Sequence, residues 1–189
     1  MLPQNPTAIP ALEQKAAAAD LSGVDAEGSF HGYASLFGIA DLAGDTVMRG
    51  AFQRSIAARQ PSGIRMLYQH DPAEPIGVWT EIREDGRGLF VRGRLMLDVG
   101  RAREVASLMR AGALDGLSIG FKTVRARADR QAGVRRLTEI DLWEISVVTF
   151  PMQPDARVSA VKADPNQPSS RLAARMRHAA LSLNRRNPK

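Results

Sequence analysis

The sequence predicts a mainly β protein with a few helices, an α+β fold whose strands close into an antiparallel barrel. Three observations carry this: short runs rich in Ile, Val, Leu and aromatic residues outnumber helical patterns, they follow one another as neighbours, and turn chemistry separates them. The 189 residues suffice for one domain with its own core and free ends.

The elements follow in order. "SFHGYASLF", from Ser29, alternates as a strand, and "IADLAGD" is loop chemistry built on Asp and Gly. In "GAFQRSIAAR", Phe52 and Ile56 stand four apart, which suits a short helix ending before Pro61. "IRMLYQ", "IGVWTEIRE" and "GLFVRGRLML" read as three strands, with "HDPAEP" and "EDGRG" as the turns between them and Asp85-Gly86 as a hairpin signal. Asp98 is placed to cap a helix over Gly100–Arg110, with Val105, Leu108 and Met109 on one face and Gly112 as its stop. "LDGLSIGFKTVRAR" and "RRLTEIDLWEISVVTFP" are strands joined by a polar loop from Arg130 to Gly133.

The ends differ in composition. Residues 1–27 form a Pro- and Ala-rich flexible leader with a short helix at Leu12 to Asp20, residues 28–162 the barrel domain, and residues 163–189 a linker and tail. Leu172, Met176 and Leu183 against Arg171, Arg175 and His178 make that tail a basic amphipathic helix, capped by Ser169 or Ser170. The net charge of +6 resides there: residues 162–189 hold seven Lys or Arg against one acid, while residues 1–161 hold 19 bases and 19 acids. A neutral body offers no electrostatic footprint for nucleic acid. The absence of cysteine excludes disulfides, thiolate metal sites and cysteine nucleophiles. No apolar run reaches the roughly 18 residues of a membrane span, and no secretory leader is visible, so a soluble, non-secreted protein is expected.

Gly116-Leu117-Ser118-Ile119-Gly120 spells the G-x-S-x-G of a hydrolase nucleophile elbow. An elbow needs a helix after the serine, followed by an acid and a histidine. Here Phe121, Thr123 and Val124 continue a strand, and the one downstream histidine is His178 in the tail. The elbow reading fails, but a serine is recognised by the geometry around it, and an upstream histidine serves as well. His31 lies inside a strand; His70 stands where a strand enters a turn, a rigid place from which to aim an imidazole. A turn histidine bonded to nearby backbone is the alternative. Glu144 interrupts the apolar "IDLWEISVVTF" and falls, under strict alternation, on the face of Ile140 and Leu142. A buried carboxylate needs a partner, and an imidazole N–H is one. An edge strand with Glu144 in water, or a bond to Arg135 or Arg136, is the alternative. Asp45, Asp71, Asp115 and Asp141 are competing acids, Asp141 on the opposite strand face from Glu144.

Together, "GYASLFGIADLAGDTVMRGAF", "LYQHDPAEPIGVW", "GLFVRGRL", "AGALDGLSIGF" and "LWEISVVTFPMQPDARV" resemble, in order and spacing, the prohead proteases of tailed phages over roughly residues 30–162. The resemblance implies a β-barrel of the herpesvirus assembly protease type and a serine endopeptidase with no cofactor. Its catalytic residues would be Ser118 of the "LSIGF" block, His70 of "HDP" and Glu144 of "EIS". It also implies action inside the assembling procapsid, in the cytoplasm of a bacterial host, on the scaffold segment of the major capsid protein and on the enzyme's own ends. A homodimer is expected by analogy with the herpesvirus enzymes. The contrasting expectation is an inactive assembly or scaffold-binding module on the same fold.

Overall fold

The structure is a computed structural model that describes residues 23–159. The short helix read at Leu12 to Asp20 and the linker and basic tail lie outside these residues. Val24, inside the stretch read as leader, is buried in the core.

Among the described residues, eight strands and two helices follow one another as β1 (Ser29–Leu36), β2 (Asp45–Val47), α1 (Gln53–Gly63), β3 (Arg65–Tyr68), β4 (Asp71–Glu84), β5 (Gly88–Leu95), α2 (Gly100–Arg110), β6 (Gly116–Asp129), β7 (Val134–Val148) and β8 (Val158–Ser159). The fold is mainly β with two helices, as expected. One sheet runs β2-β7-β3-β4-β5-β1-β8, with β6 on the other side of β7. It curls so that its ends meet: Leu117 N–H donates to Ala156 O at 2.9 Å and Val158 N–H to Asp115 O at 2.8 Å, while β8 pairs with β1. Phe30, Phe52, Met66, Leu89, Leu117 and Leu142, all but fully buried, fill the curl.

The sheet is mixed rather than antiparallel throughout. β6 takes one edge of β7 antiparallel along its length, and β2 and β3 lie one after the other on the opposite edge, both parallel to it. The start of α1 fills the gap between them. Ile140 N–H donates to Ala51 O at 2.9 Å and Leu142 N–H to the buried Ser55 Oγ at 2.8 Å, so edge amides with no strand beside them are still satisfied. α1 breaks at Gln60 (φ 56°, ψ 167°), the residue before Pro61, where the proline ring disfavours helical backbone.

Other differences have local causes. The "HDPAEP" turn shrinks to Gln69-His70, and the strand resumes at Asp71. Asp98 does not cap α2: Val99 holds the N-cap position without a side-chain bond, and Leu108 is exposed while Ala102, Val105, Ala106 and Met109 face inward. Gly112 does end the helix, at φ +71°.

The Ser55 bond gives a test of the sheet. Ser55→Ala leaves a buried amide without an acceptor and lowers stability by about 1–3 kcal/mol, read as a lower urea midpoint with an unchanged slope.

Candidate active site

β3 and β4 are joined by a two-residue turn in which Gln69 and His70 both have left-handed backbone, φ 53° and 61°. That is the signature of a type I′ hairpin, usually filled by Gly or Asn, and each non-glycine residue there costs about 1–2 kcal/mol. The end of β7 holds the turn in place. Gln69 N–H donates to Val147 O at 3.0 Å, Gln69 Nε2 to Thr149 Oγ1 at 2.7 Å, and His70 N–H to Ser146 Oγ at 3.2 Å. The backbone thereby aims the His70 ring across the face of β6 and β7.

On that face Ser118 lies directly opposite Ser146, and Gly120 opposite Glu144. Glu144 reaches it through a slip in register: Gly120 pairs with Glu144 but Phe121 with Leu142, so Trp143 has no residue opposite it. This bulge shifts the alternation by one. Ile140 and Leu142 point into the core before it, Ile145 and Val147 after it, and Glu144 turns to the same side as Ser146. The expectation that Glu144 shares a face with Ile140 and Leu142 is corrected on this ground, and so is the assignment of Asp141 to the face opposite Glu144.

The structure brings Ser118, His70 and Glu144 into one line. His70 Nε2 lies 2.9 Å from Ser118 Oγ, and His70 Nδ1 2.6 Å from Glu144 Oε1. An ionised carboxylate only accepts, so Nδ1 carries a proton, and in the neutral imidazole Nε2 is left to accept from the serine hydroxyl. The carboxylate is mostly covered, its side chain 13 % exposed, and its second oxygen accepts from Ser146 Oγ at 2.6 Å. Ser146 was not singled out in the sequence. It is fully buried and bonds both the acid and the backbone of the histidine; a serine inside an apolar strand was the available signal.

The competing acids are engaged elsewhere. Asp45 is held by Arg135, Asp141 by Arg59 and the Trp143 indole, Asp115 by Arg157, and Asp71 accepts from Ala73 N–H. Arg136, the other alternative partner of Glu144, bonds Asp129. His31 lies against Phe90, and its pKa is lowered by burial and then by Arg92. His178 is outside the described residues. Among the described residues no three His, Asp or Glu side chains cluster as a metal site, and no helix is long and apolar enough to cross a membrane.

β6 runs unbroken from Gly116 through Phe121 to Asp129, so no elbow exists. The two glycines around Ser118 have other causes. A Cβ on Gly116 would stand 2.6 Å from Val148 O and 2.8 Å from Pro151 Cδ. One on Gly120 would stand 2.7 Å from Glu144 Cδ and 2.8 Å from its Cγ, and closer still to Oε1. Gly120 is thus the space through which Glu144 reaches His70.

A serine and a carboxylate from two neighbouring strands and a histidine from a hairpin turn lie in one hydrogen-bonded line, the geometry by which the triads of serine hydrolases are recognised. The chain belongs to the Caudovirus prohead serine protease family, whose model matches residues 14–169. It is 35% identical over 139 residues to the prohead protease of Enterobacteria phage HK97, covering 72% of this chain and 61% of that one. It is 27% identical over 124 residues to the prohead protease of Escherichia phage T5, covering 65% and 58%. The chain spans less than two thirds of either relative. The capsid assembly protease of bacteriophage T4 shares its fold, with a TM-score of 0.54 at 14% identity over 64% of this chain and 80% of that one.

The hydrogen bond to Glu144 raises the His70 pKa above its ordinary 6.5, against a lowering by burial and with a further rise from the glutamate's charge. The stabilisation from this pair is therefore complete below the ordinary value and fades as pH rises through the raised one. In an NMR titration the His70 midpoint lies above 6.5 and falls in Glu144→Gln. In Gly120→Ala, where the glutamate is pushed aside, the same midpoint falls with the fold retained.

Proposed function

We propose that this chain is a serine endopeptidase that cleaves scaffold or propeptide segments of a major capsid protein, and its own ends, during procapsid maturation in a bacterial host. The supporting observation is the continuous line Ser118–His70–Glu144, in a member of this family, with the serine hydroxyl within hydrogen-bond distance of one imidazole nitrogen and the carboxylate of the other.

Ser118 Oγ attacks the peptide carbonyl carbon while its proton passes to His70 Nε2. Glu144 keeps the ring oriented and stabilises the imidazolium that forms. His70 then gives the proton to the leaving amine nitrogen as the C–N bond breaks, leaving an acyl ester on Ser118. Water, deprotonated by His70, attacks the ester and frees the carboxylic product and the serine. Ser146, bonded to Glu144 and to the His70 amide, positions both and touches neither reacting atom. Pairing with a second copy and contact with the capsid protein belong to the same proposal.

Co-expression with a major capsid protein that carries its scaffold segment tests the reading. The wild type shortens the capsid protein and its own termini, and Ser118→Ala or His70→Ala lowers the rate by about 10⁴-fold. Glu144→Gln costs less. Equal trimming by wild type and Ser118→Ala would instead leave a non-catalytic assembly module on this fold. Because catalysis needs neutral His70, the rate climbs as pH rises through the raised His70 pKa, and Glu144→Gln moves that rise to lower pH.

A further inference from the structure

A cavity of about 240 Å³ opens beside Ser118 and His70. Since about 10–15 Å³ of such space suffices for one water, this is enough for a substantial side chain. Ile39, Val47, Leu117 and Met152 supply apolar wall, and Asp41 and Asp45 line one side. Neither acid is idle. Both oxygens of Asp45 accept from Arg135, at 2.7 and 2.5 Å, and Asp41 Oδ1 accepts from the Ala43 and Asp45 amides at 2.9 Å each.

The wall is built to keep its shape. The Gln153 amide donates to Leu36 O and Ile39 O and accepts from Leu36 N–H, tying the end of β1 to the segment after β7. Leu42 N–H donates to Met152 O at 3.0 Å, joining the two sides of the mouth. Around that mouth Ile39, Leu42 and Met152 are 43%, 74% and 51% exposed, an apolar rim left facing water.

We infer that this cavity receives the substrate side chain adjoining the scissile bond, and that it takes an apolar side chain and excludes an acidic one. The assignment rests on the peptidase reading above. An apolar side chain gains from every Å² it removes from water against these walls and the rim. A carboxylate entering the cavity would lose its hydration beside two carboxylates whose charge Arg135 offsets only in part, and no Lys or Arg side chain lines the cavity to receive it. A cationic side chain gains less than an apolar one, because Arg135 already answers Asp45 and the attraction of Asp41 is set against the cation's own loss of hydration.

The test is digestion of a peptide mixture, randomised at every position, by the full-length chain, with products identified by mass spectrometry. The expected profile has apolar residues at one of the two positions flanking the cut, and acidic residues there cleaved about tenfold more slowly or worse, a difference of about 1.4 kcal/mol. Asp41→Asn keeps an amide oxygen for the two backbone bonds and loses the charge, so it relaxes the discrimination against acids. Charged and apolar residues accepted alike at both flanking positions would overturn the pocket assignment and leave the peptidase reading intact. No cleavage by the wild type, or equal cleavage by Ser118→Ala, would instead overturn the peptidase reading, and the pocket assignment with it.

Discussion

The register of β6 on β7 is the constraint on which the site depends. With Ser118 opposite Ser146 and Gly120 opposite Glu144, the nucleophile candidate, the acid and the serine that bonds the acid share one face. The unpaired Trp143 makes this possible, since without the slip Glu144 would point into the core with Leu142. The bulge is tolerated because the residues before it are anchored: Leu142 N–H has the Ser55 hydroxyl, and Trp143 lies under the Arg59 guanidinium, whose carbon is 5.0 Å from the ring centre. Bulges commonly re-aim side chains in this way.

The imidazole is fixed by an opposite device. Gln69 and His70 hold left-handed backbone without being glycine, which costs stability, and the cost is offset by bonds from both amides to β7. Because Ser146 accepts one of those bonds and donates to Glu144, the backbone of the histidine and the carboxylate it addresses are set by the same hydroxyl. A partly covered carboxylate costs several kcal/mol unless bonded. Here one oxygen meets the ring N–H and the other the Ser146 hydroxyl.

Much of this was legible in the sequence. The alternation of "SFHGYASLF", the Asp85-Gly86 hairpin, the helix over Gly100–Arg110 and the two long strands around residues 130–133 are local patterns, and the structure contains them. The three residues Ser118, His70 and Glu144 were legible through resemblance and through the oddity of an acid in an apolar strand. What sequence did not carry is non-local or very short. β2 and β8 have three and two residues, too few for any period to register. The parallel pairing of β2 and β3 is set by where α1 lies, and Asp98 lost the cap to the path of the chain at Val99. Strict alternation placed Glu144 on the wrong face because a bulge has no composition of its own. The glycines of G-x-S-x-G suggested a tight turn, yet they make room for Pro151 and for the Glu144 side chain.

The claim that Ser118 is a nucleophile activated by His70 is tested most directly by a fluorophosphonate probe, which forms a stable ester with an activated serine and needs no knowledge of the natural substrate. One adduct is expected on the full chain, mapped to Ser118 by peptide mass spectrometry. Its rate should rise with pH through a midpoint above 6.5 and fall to background in His70→Ala. Labelling spread over several serines, or unchanged in His70→Ala, would contradict it.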